Sequence, residues 1–245
     1  MADEMRKVLR VRGAGARDFL QGLVTNDVAG LDKGLVYAAL LTPQGKYLAD
    51  FFLVPDGQDV LIDLPAALAP SIKQRLTMYK LRSPIEIEDT DLTVSRGTGT
   101  PPEGAHADPR DPSLGWRGYA GQPDQPTDWD ALRVAACVPE AGVELTPDSF
   151  ILEAGFDRLN GVDFRKGCYV GQEVTARMKH KTELRKGLAL VEVDGTAPVG
   201  TEIMAGEKPA GTLYTQSGGR GIAYLRFDRA KGEMTAGDAV VRYNG

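Results

Sequence analysis

The chain has 245 residues, 42% of them hydrophobic and 26% charged, and a formal net charge of −5 at pH 7. No apolar run approaches the ~20 residues of a membrane span, so no membrane partner is expected, and an acidic balance without a long basic block gives no expectation of direct nucleic-acid binding. Cys137 and Cys168 offer neither a disulfide framework nor zinc-ligand spacing, and residues 1–11 lack the apolar core of a secretory signal and carry acids uncommon in transit peptides, which points to the cytoplasm.

Residues 6–12 read as a strand. A helix opens at Gly13, with Ala16, Phe19, Leu20, Leu23 and Val24 on one face, and ends at Thr25-Asn26-Asp27. Residues 34–42 and 46–54 are rich in Val, Leu, Tyr and Phe and are divided by Pro43-Gln44-Gly45, which predicts a β-hairpin. Pro55-Asp56-Gly57 turns into a third strand over 59–63. A helix near 66–80 places Leu68, Ile72, Leu76 and Tyr79 together, with Pro70 in its first turn. Residues 84–95 alternate as one or two strands. Seven glycines and prolines make 96–112 a mobile loop or linker, followed by a candidate strand over 113–119. Thr127 and Asp130 resemble a capping box for a helix over 128–137, with Cys137 a small buried hydrophobe at its end. Beyond Lys186, short segments at 187–193, 201–204, 209–215, 220–227 and 239–243 have the texture of a small antiparallel barrel. Helices and strands mix without βαβ alternation, so the expected class is α+β. The expected divisions are an α+β region (1–95), a linker with a strand (96–128), a second α+β region (129–185) and a β-barrel (186–245).

The stretch Lys166-Gly167-Cys168-Tyr169-Val170-Gly171-Gln172-Glu173 carries the most chemistry. A thiol between glycines and after Arg165 and Lys166 reads as a thiolate held on a turn, with Lys166 the cation that depresses its pKa. Gly167 and Gly171 serve the backbone. Gln172 and Glu173 cap a following helix whose amide end also favours a thiolate. The competing reading is a structural thiol under the turn. A Cys168–His180 nucleophile–base pair has no orienting third residue, and these two side chains supply too few ligands for a metal or cluster. Asp50 lies on an apolar strand before Phe51 and Phe52. There it either points outward or is desolvated for proton transfer.

The octapeptide KGCYVGQE with Val174-Thr175-Ala176-Arg177 resembles the signature of the YgfZ family of folate-binding proteins linked to iron–sulfur cluster assembly or repair. So do residues 19–27 (FLQGLVTND), Thr42-Pro43-Gln44-Gly45-Lys46 with Asp50, and Tyr79-Lys80-Leu81-Arg82. The resemblance implies kinship with the glycine-cleavage T-protein. It implies three subdomains around a central folate-sized hole: two mixed, ferredoxin-like ones and a C-terminal antiparallel barrel. T-proteins typically carry an aspartate where Cys168 stands, which favours the YgfZ branch.

On that resemblance tetrahydrofolate or a derivative is the expected cofactor. Asp50 faces its reactive nitrogens. Glu153, in Leu152-Glu153-Ala154-Gly155, binds the pterin edge or is merely a helix-terminus acid. Asp63 faces the same hole or caps a helix. Tyr169 and Arg177 complete the folate contacts. The basic stretch Arg177, Lys179, His180, Arg185 and Lys186 either attracts the anionic glutamate tail or is a solvated face. The implied function is an accessory role in iron–sulfur cluster assembly or repair, with Cys168, Lys166 and Asp50 reactive and with iron–sulfur proteins or assembly factors as partners. A folate-dependent one-carbon transferase and a folate-binding scaffold without chemistry are the alternatives.

Overall fold

The computed structural model describes residues 6–180 and 184–245. The chain forms two compact units, one of residues up to Thr127 together with Asp157–Val174, the other of Asp128–Phe156 with Thr175–Gly245. The octapeptide therefore packs with the N-terminal half of the chain.

In the first unit, β1 (Arg6–Arg12), β2 (Val36–Leu41), β3 (Tyr47–Asp56), β4 (Asp59–Pro65) and β5 (Glu86–Asp89) form one five-stranded sheet in the order β2-β3-β4-β1-β5. The hairpin expected around Pro43-Gln44-Gly45 is the β2–β3 pair, with Val36 opposite Leu53 and Ala39 opposite Asp50. Side chains alternate across the pleat. One face presents Leu9, Val11, Val36, Ala38, Phe51, Leu53, Ile62 and Leu64 to α1 (Ala16–Gln21), to the short 3-10 helix Val28–Asp32 and to α2 (Ala69–Lys80). Each of the larger apolar side chains there gains ~1.5–3 kcal/mol relative to exposure. Pro70 stands in the first turn of α2, as expected. The first helix is shorter than its periodicity predicts, because Leu23 and Val24 leave it. Val24 instead bridges to Leu40 at the edge of β2.

The expected mobile linker at 96–112 is largely ordered structure. β6 (Ser95–Gly97), β7 (Ala105–Ala107) and β8 (Trp116–Gly118) form a second sheet in the order β6-β8-β7. The glycines and prolines are its turns. Position 115 requires glycine, because its φ is 66° and a Cβ there would stand 2.1 Å from the Gly97 carbonyl oxygen.

In the second unit α3 (Trp129–Ala135) is capped by Asp128, whose carboxylate accepts from the Ala131 N–H. The expected Thr127 box is displaced by one residue, since Asp is the stronger cap. Cys137 is buried beside Val134 and Ile222, the apolar role assigned to it. After α4 (Gln172–His180), a closed barrel is built from β9 (Lys186–Asp194), β10 (Thr201–Ala205), β11 (Lys208–Ser217), β12 (Arg220–Arg226), β13 (Glu233–Ala236) and β14 (Ala239–Arg242). Only β13 lies outside the expected β segments. Ile203, Leu213, Leu225, Met234 and Val241 fill the interior.

Candidate functional site

The octapeptide is fastened by its own unusual residues. Lys166 is buried, and its ammonium donates to the carbonyl oxygens of Gln21 (2.8 Å), Val24 (2.6 Å) and Asn26 (3.0 Å). Those oxygens lie where α1 ends and the chain turns, so all three N–H groups of the lysine replace helix hydrogen bonds that no residue follows on to make. Burial holds Lys166 below the ordinary lysine range, at about 8, although Asp27 and Asp163 oppose the shift. The ammonium also stands 5.1 Å from the centre of the buried Tyr169 ring. Its N–H groups are thus taken by carbonyls, with an aromatic ring beside them.

Around it, Thr25 and Asn26 grip the approach to the octapeptide. The Thr25 hydroxyl donates to the Gly161 carbonyl at 2.7 Å, and its own carbonyl accepts from the Asp163 N–H at 3.1 Å. The Asn26 amide donates to Asn160 at 2.6 Å and to Tyr37 at 2.8 Å, both at carbonyl oxygens.

Gly171 fastens the far end. Its φ is +85°, and a Cβ would stand 2.7 Å from the Thr42 carbonyl oxygen. Gly45, at the tip of the β2–β3 hairpin, is equally confined: its φ is +74°, and a Cβ there would stand 2.8 Å from the Val174 Cβ. The segments FLQGLVTND and TPQGK therefore each pack against the octapeptide region, one at either end of it. Between the two anchors Gly167 faces open space, so it has no steric need to be glycine, and Cys168 is exposed. Gln172 opens α4, and Glu173 lies in its first turn, the expected acid at a helix N-terminus. The Gln172 amide reaches the Gly167 carbonyl at 3.4 Å. Arg177 is exposed on α4. Of the basic stretch, residues 181–183 lie outside the described residues.

The second face of the large sheet is polar and aromatic. Asp50 and Phe52 of β3, Tyr37 of β2 and Asp63 of β4 share it through the register Tyr37–Phe52–Asp63. Asp50 is buried and accepts from the Tyr37 hydroxyl at 3.0 Å on one oxygen and from the Tyr47 hydroxyl at 2.6 Å on the other. Burial, and then the Asp50 charge, push both phenols well above the usual tyrosine range, so they remain donors. Each carboxylate oxygen keeps a second acceptor position, so Asp50 can still receive a ligand N–H.

Asp63 cannot. It is fully buried, with Arg6 Nε at 2.7 Å, Arg117 Nη1 at 3.1 Å and the Tyr119 hydroxyl at 2.9 Å. Its reading as a helix cap is corrected, since Leu68 stands at the N-cap of α2. Burial raises the Asp63 pKa, but the Arg6 and Arg117 guanidiniums outweigh it and hold the carboxyl below its ordinary value. Arg117 continues to Asp108 at 3.2 Å, and Arg110 clasps Asp108 with two bonds of 3.0 and 2.8 Å. The result is an alternating ladder Arg6–Asp63–Arg117–Asp108–Arg110. Its guanidinium carbons lie 5.9, 3.9 and 4.8 Å from the Phe52 ring centre for Arg6, Arg117 and Arg110. Sequence reasoning missed these arginines, Tyr37 and Tyr47. Arg110 and Arg117 sat in or beside the segment read as a linker, and no local pattern ties them to β3.

In the second unit Glu153 lies in a run of turns, not at a helix end. It accepts from the Tyr224 hydroxyl at 2.6 Å, and Lys186 Nζ is 3.8 Å away. Burial and Glu153 raise the Tyr224 pKa above its usual range. The other Glu153 oxygen remains able to accept. Among the described residues no group of three or more His, Cys, Asp or Glu side chains is placed to hold a metal ion, and no helix is long and apolar enough to cross a membrane.

Residues 185–244 match the family model of the CAF17 C-terminal beta-barrel domain. A mouse protein named iron–sulfur cluster assembly factor IBA57, mitochondrial, is 30% identical over 279 residues, covering 94% of this chain and 78% of its own. A homologue from Mycosarcoma maydis is 35% identical over 230 residues, covering 79% of this chain and 57% of its own. The chain spans only 57% and 54% of the first two fungal relatives. An aminomethyltransferase T of the glycine cleavage system from Bartonella henselae shares the fold at a TM-score of 0.76 and 14% identity, over 97% of this chain and 82% of its own. The relatives are named mitochondrial, which overturns the cytoplasmic expectation. That expectation rested on the character of residues 1–11 alone, a weak guide to compartment.

Proposed function

The chain belongs to the family of iron–sulfur cluster assembly factors that includes mouse IBA57, and from that premise we propose that it serves iron–sulfur cluster assembly or repair through Cys168, with tetrahydrofolate or a derivative as its ligand. The observation that carries the proposal is the exposed thiol on a short span pinned at one end by Lys166 and at the other by Gly171. A span so held presents the thiol at the surface with little freedom to fold back, and an accessible thiol suits exchange with a partner protein. The octapeptide's likeness to the YgfZ signature supports the same reading. The partner is an iron–sulfur protein or a cluster assembly factor.

For folate, the candidate contacts are Asp50 and Tyr169 in the first unit and Glu153 and Arg177 in the second, and the Asp50 and Glu153 carboxylates each keep acceptor positions. Folate, when bound, would supply a one-carbon carrier. In this reading Tyr37 and Tyr47 orient the Asp50 carboxylate and keep its unused lone pairs available. Arg177, in solvent on α4, offers a positive charge to a glutamate tail.

The test replaces the gene in a deletion strain. Wild-type protein should restore the activity of cluster-dependent enzymes, and Cys168→Ala should not, although its purified form unfolds at the same temperature. Full rescue by Cys168→Ala would remove the thiol from the function. Calorimetric titration with tetrahydrofolate should give binding that Asp50→Ala and Glu153→Ala each weaken. No heat from the wild type would remove the ligand.

A further inference from the structure

The segment Tyr79-Lys80-Leu81-Arg82 has no place in the site above. In the fold it closes α2 and points outward. Leu81 is 85% exposed and Met78 57%, the two most exposed large apolar side chains among the described residues of this unit. Met78 stands in the last turn of α2, and Leu81 is the residue that ends it. Leu81 also holds a φ of +45°, a conformation costly for a residue with a Cβ and one that the surroundings must sustain.

Met78 also lines a groove of about 630 Å³ along α2, formed with Ala66, Ala69, Pro70 and Thr77 and bordered by Gln74, Lys7 and the Lys73–Asp89 ion pair. From Ala69 to Arg82 the chain carries Lys73, Arg75, Lys80 and Arg82 and no acid, whereas the whole chain has a net charge of −5. Lys73 pairs with Asp89 and Lys80 with a carbonyl, while Arg75 and Arg82 make no ion pair with any described residue. An apolar groove, an apolar knob and a local charge opposite to that of the chain occur together.

We infer that this face of α2 is a docking surface for an acidic, amphipathic segment of another protein, whose apolar side chains enter the groove and cover Leu81 while its carboxylates meet Arg75 and Arg82. Helix-in-groove recognition needs this combination of apolar anchors and a charged rim, and opposite charges on the rim speed encounter and exclude basic partners. The inference is independent of what Cys168 or folate does.

The test uses the full chain and a fluorescent synthetic peptide of about sixteen residues, with leucines at helical i, i+3, i+4 and i+7 positions and glutamates elsewhere. A sister peptide carries lysines for the glutamates. The acidic peptide should raise the anisotropy. Its affinity should fall about tenfold or more on combining Met78→Asp with Leu81→Asp, and several-fold on combining Arg75→Gln with Arg82→Gln. Circular dichroism of these surface variants should match the wild type. Equal binding of the lysine peptide, indifference to both double variants, or no binding by the wild type at ~1 mM would overturn the inference. So would a Met78-dependent dimer in sedimentation, which would assign the face to a second copy of the chain.

Discussion

Replacing Asp63 by Asn probes the buried ladder most directly. The side chain keeps its volume, but the charge between Arg6 and Arg117 disappears, and one accepting oxygen becomes an amide donor facing other donors. Asp63 is fully buried, and the Arg6 and Arg117 side chains are only 11% and 4% exposed. Removing one member of such a buried pair costs ~3–5 kcal/mol, because the remaining charge loses that counterion where little water can replace it. Arg117 keeps Asp108 at 3.2 Å, so the expected loss is near the lower figure, about 3 kcal/mol. That is a large share of a typical domain stability of ~5–15 kcal/mol. Urea unfolding at neutral pH measures it. Trp116, buried on β8 beside Arg117, reports on this unit in a background of Trp129→Phe. The midpoint should fall with the slope unchanged. A loss under ~1 kcal/mol would refute the closed ladder. Intact stability with lost tetrahydrofolate affinity would instead return Asp63 to the ligand.

Acid should act on the same ladder. Asp108 is held at about 2, since burial is outweighed by Arg110 and Arg117. A carboxyl with a folded value below its ordinary one is protonated first in the unfolded chain, so its stabilisation is present above pH ~4 and is lost as the pH falls toward ~2. Asp108 alone accounts for about 2 kcal/mol over that window. Urea midpoints between pH 6 and 2.5 should decline, and less steeply in Asp108→Asn; a flat profile would contradict the ion pairs. Lys166→Met leaves three backbone carbonyls without their donor and should lower stability by ~2–4 kcal/mol, read by thermal unfolding; a change under ~1 kcal/mol would mean that water replaces the ammonium. Gly171→Ala meets the Thr42 carbonyl and a positive φ and should cost ~2 kcal/mol. Gly167→Ala, with nothing within 4 Å, should stay within ~0.5 kcal/mol. Equal effects of the two would sink the account of the loop's anchors.

Most elements of the first sheet, α2 and most of the barrel are legible in the chain, because each depends on a local period or on turn residues next to it. The apolar alternation of β2 and β3 with Pro43-Gln44-Gly45 between them needs nothing distant to be recognised. The segment 96–112 is not legible in this way. Its glycines and prolines are the same whether they join mobile coil or three-residue strands, and only pairing of Ser95–Gly97 and Ala105–Ala107 with Trp116–Gly118 decides between them.

What the sequence by itself determined is the octapeptide: a thiol flanked by glycines, on a turn that leads into a helix. Side-chain chemistry and backbone freedom are properties of the residues themselves. What only the tertiary structure decided is the partner of each charge. Lys166 stands two residues before Cys168 in the chain, yet its ammonium goes to carbonyls 140 to 145 residues away. Asp63 resembles a ligand carboxylate until Arg6 and Arg117 enclose it. A buried charge takes the counter-group that the folded backbone brings within about 3 Å, and that choice is made by contacts across the chain that no local pattern encodes.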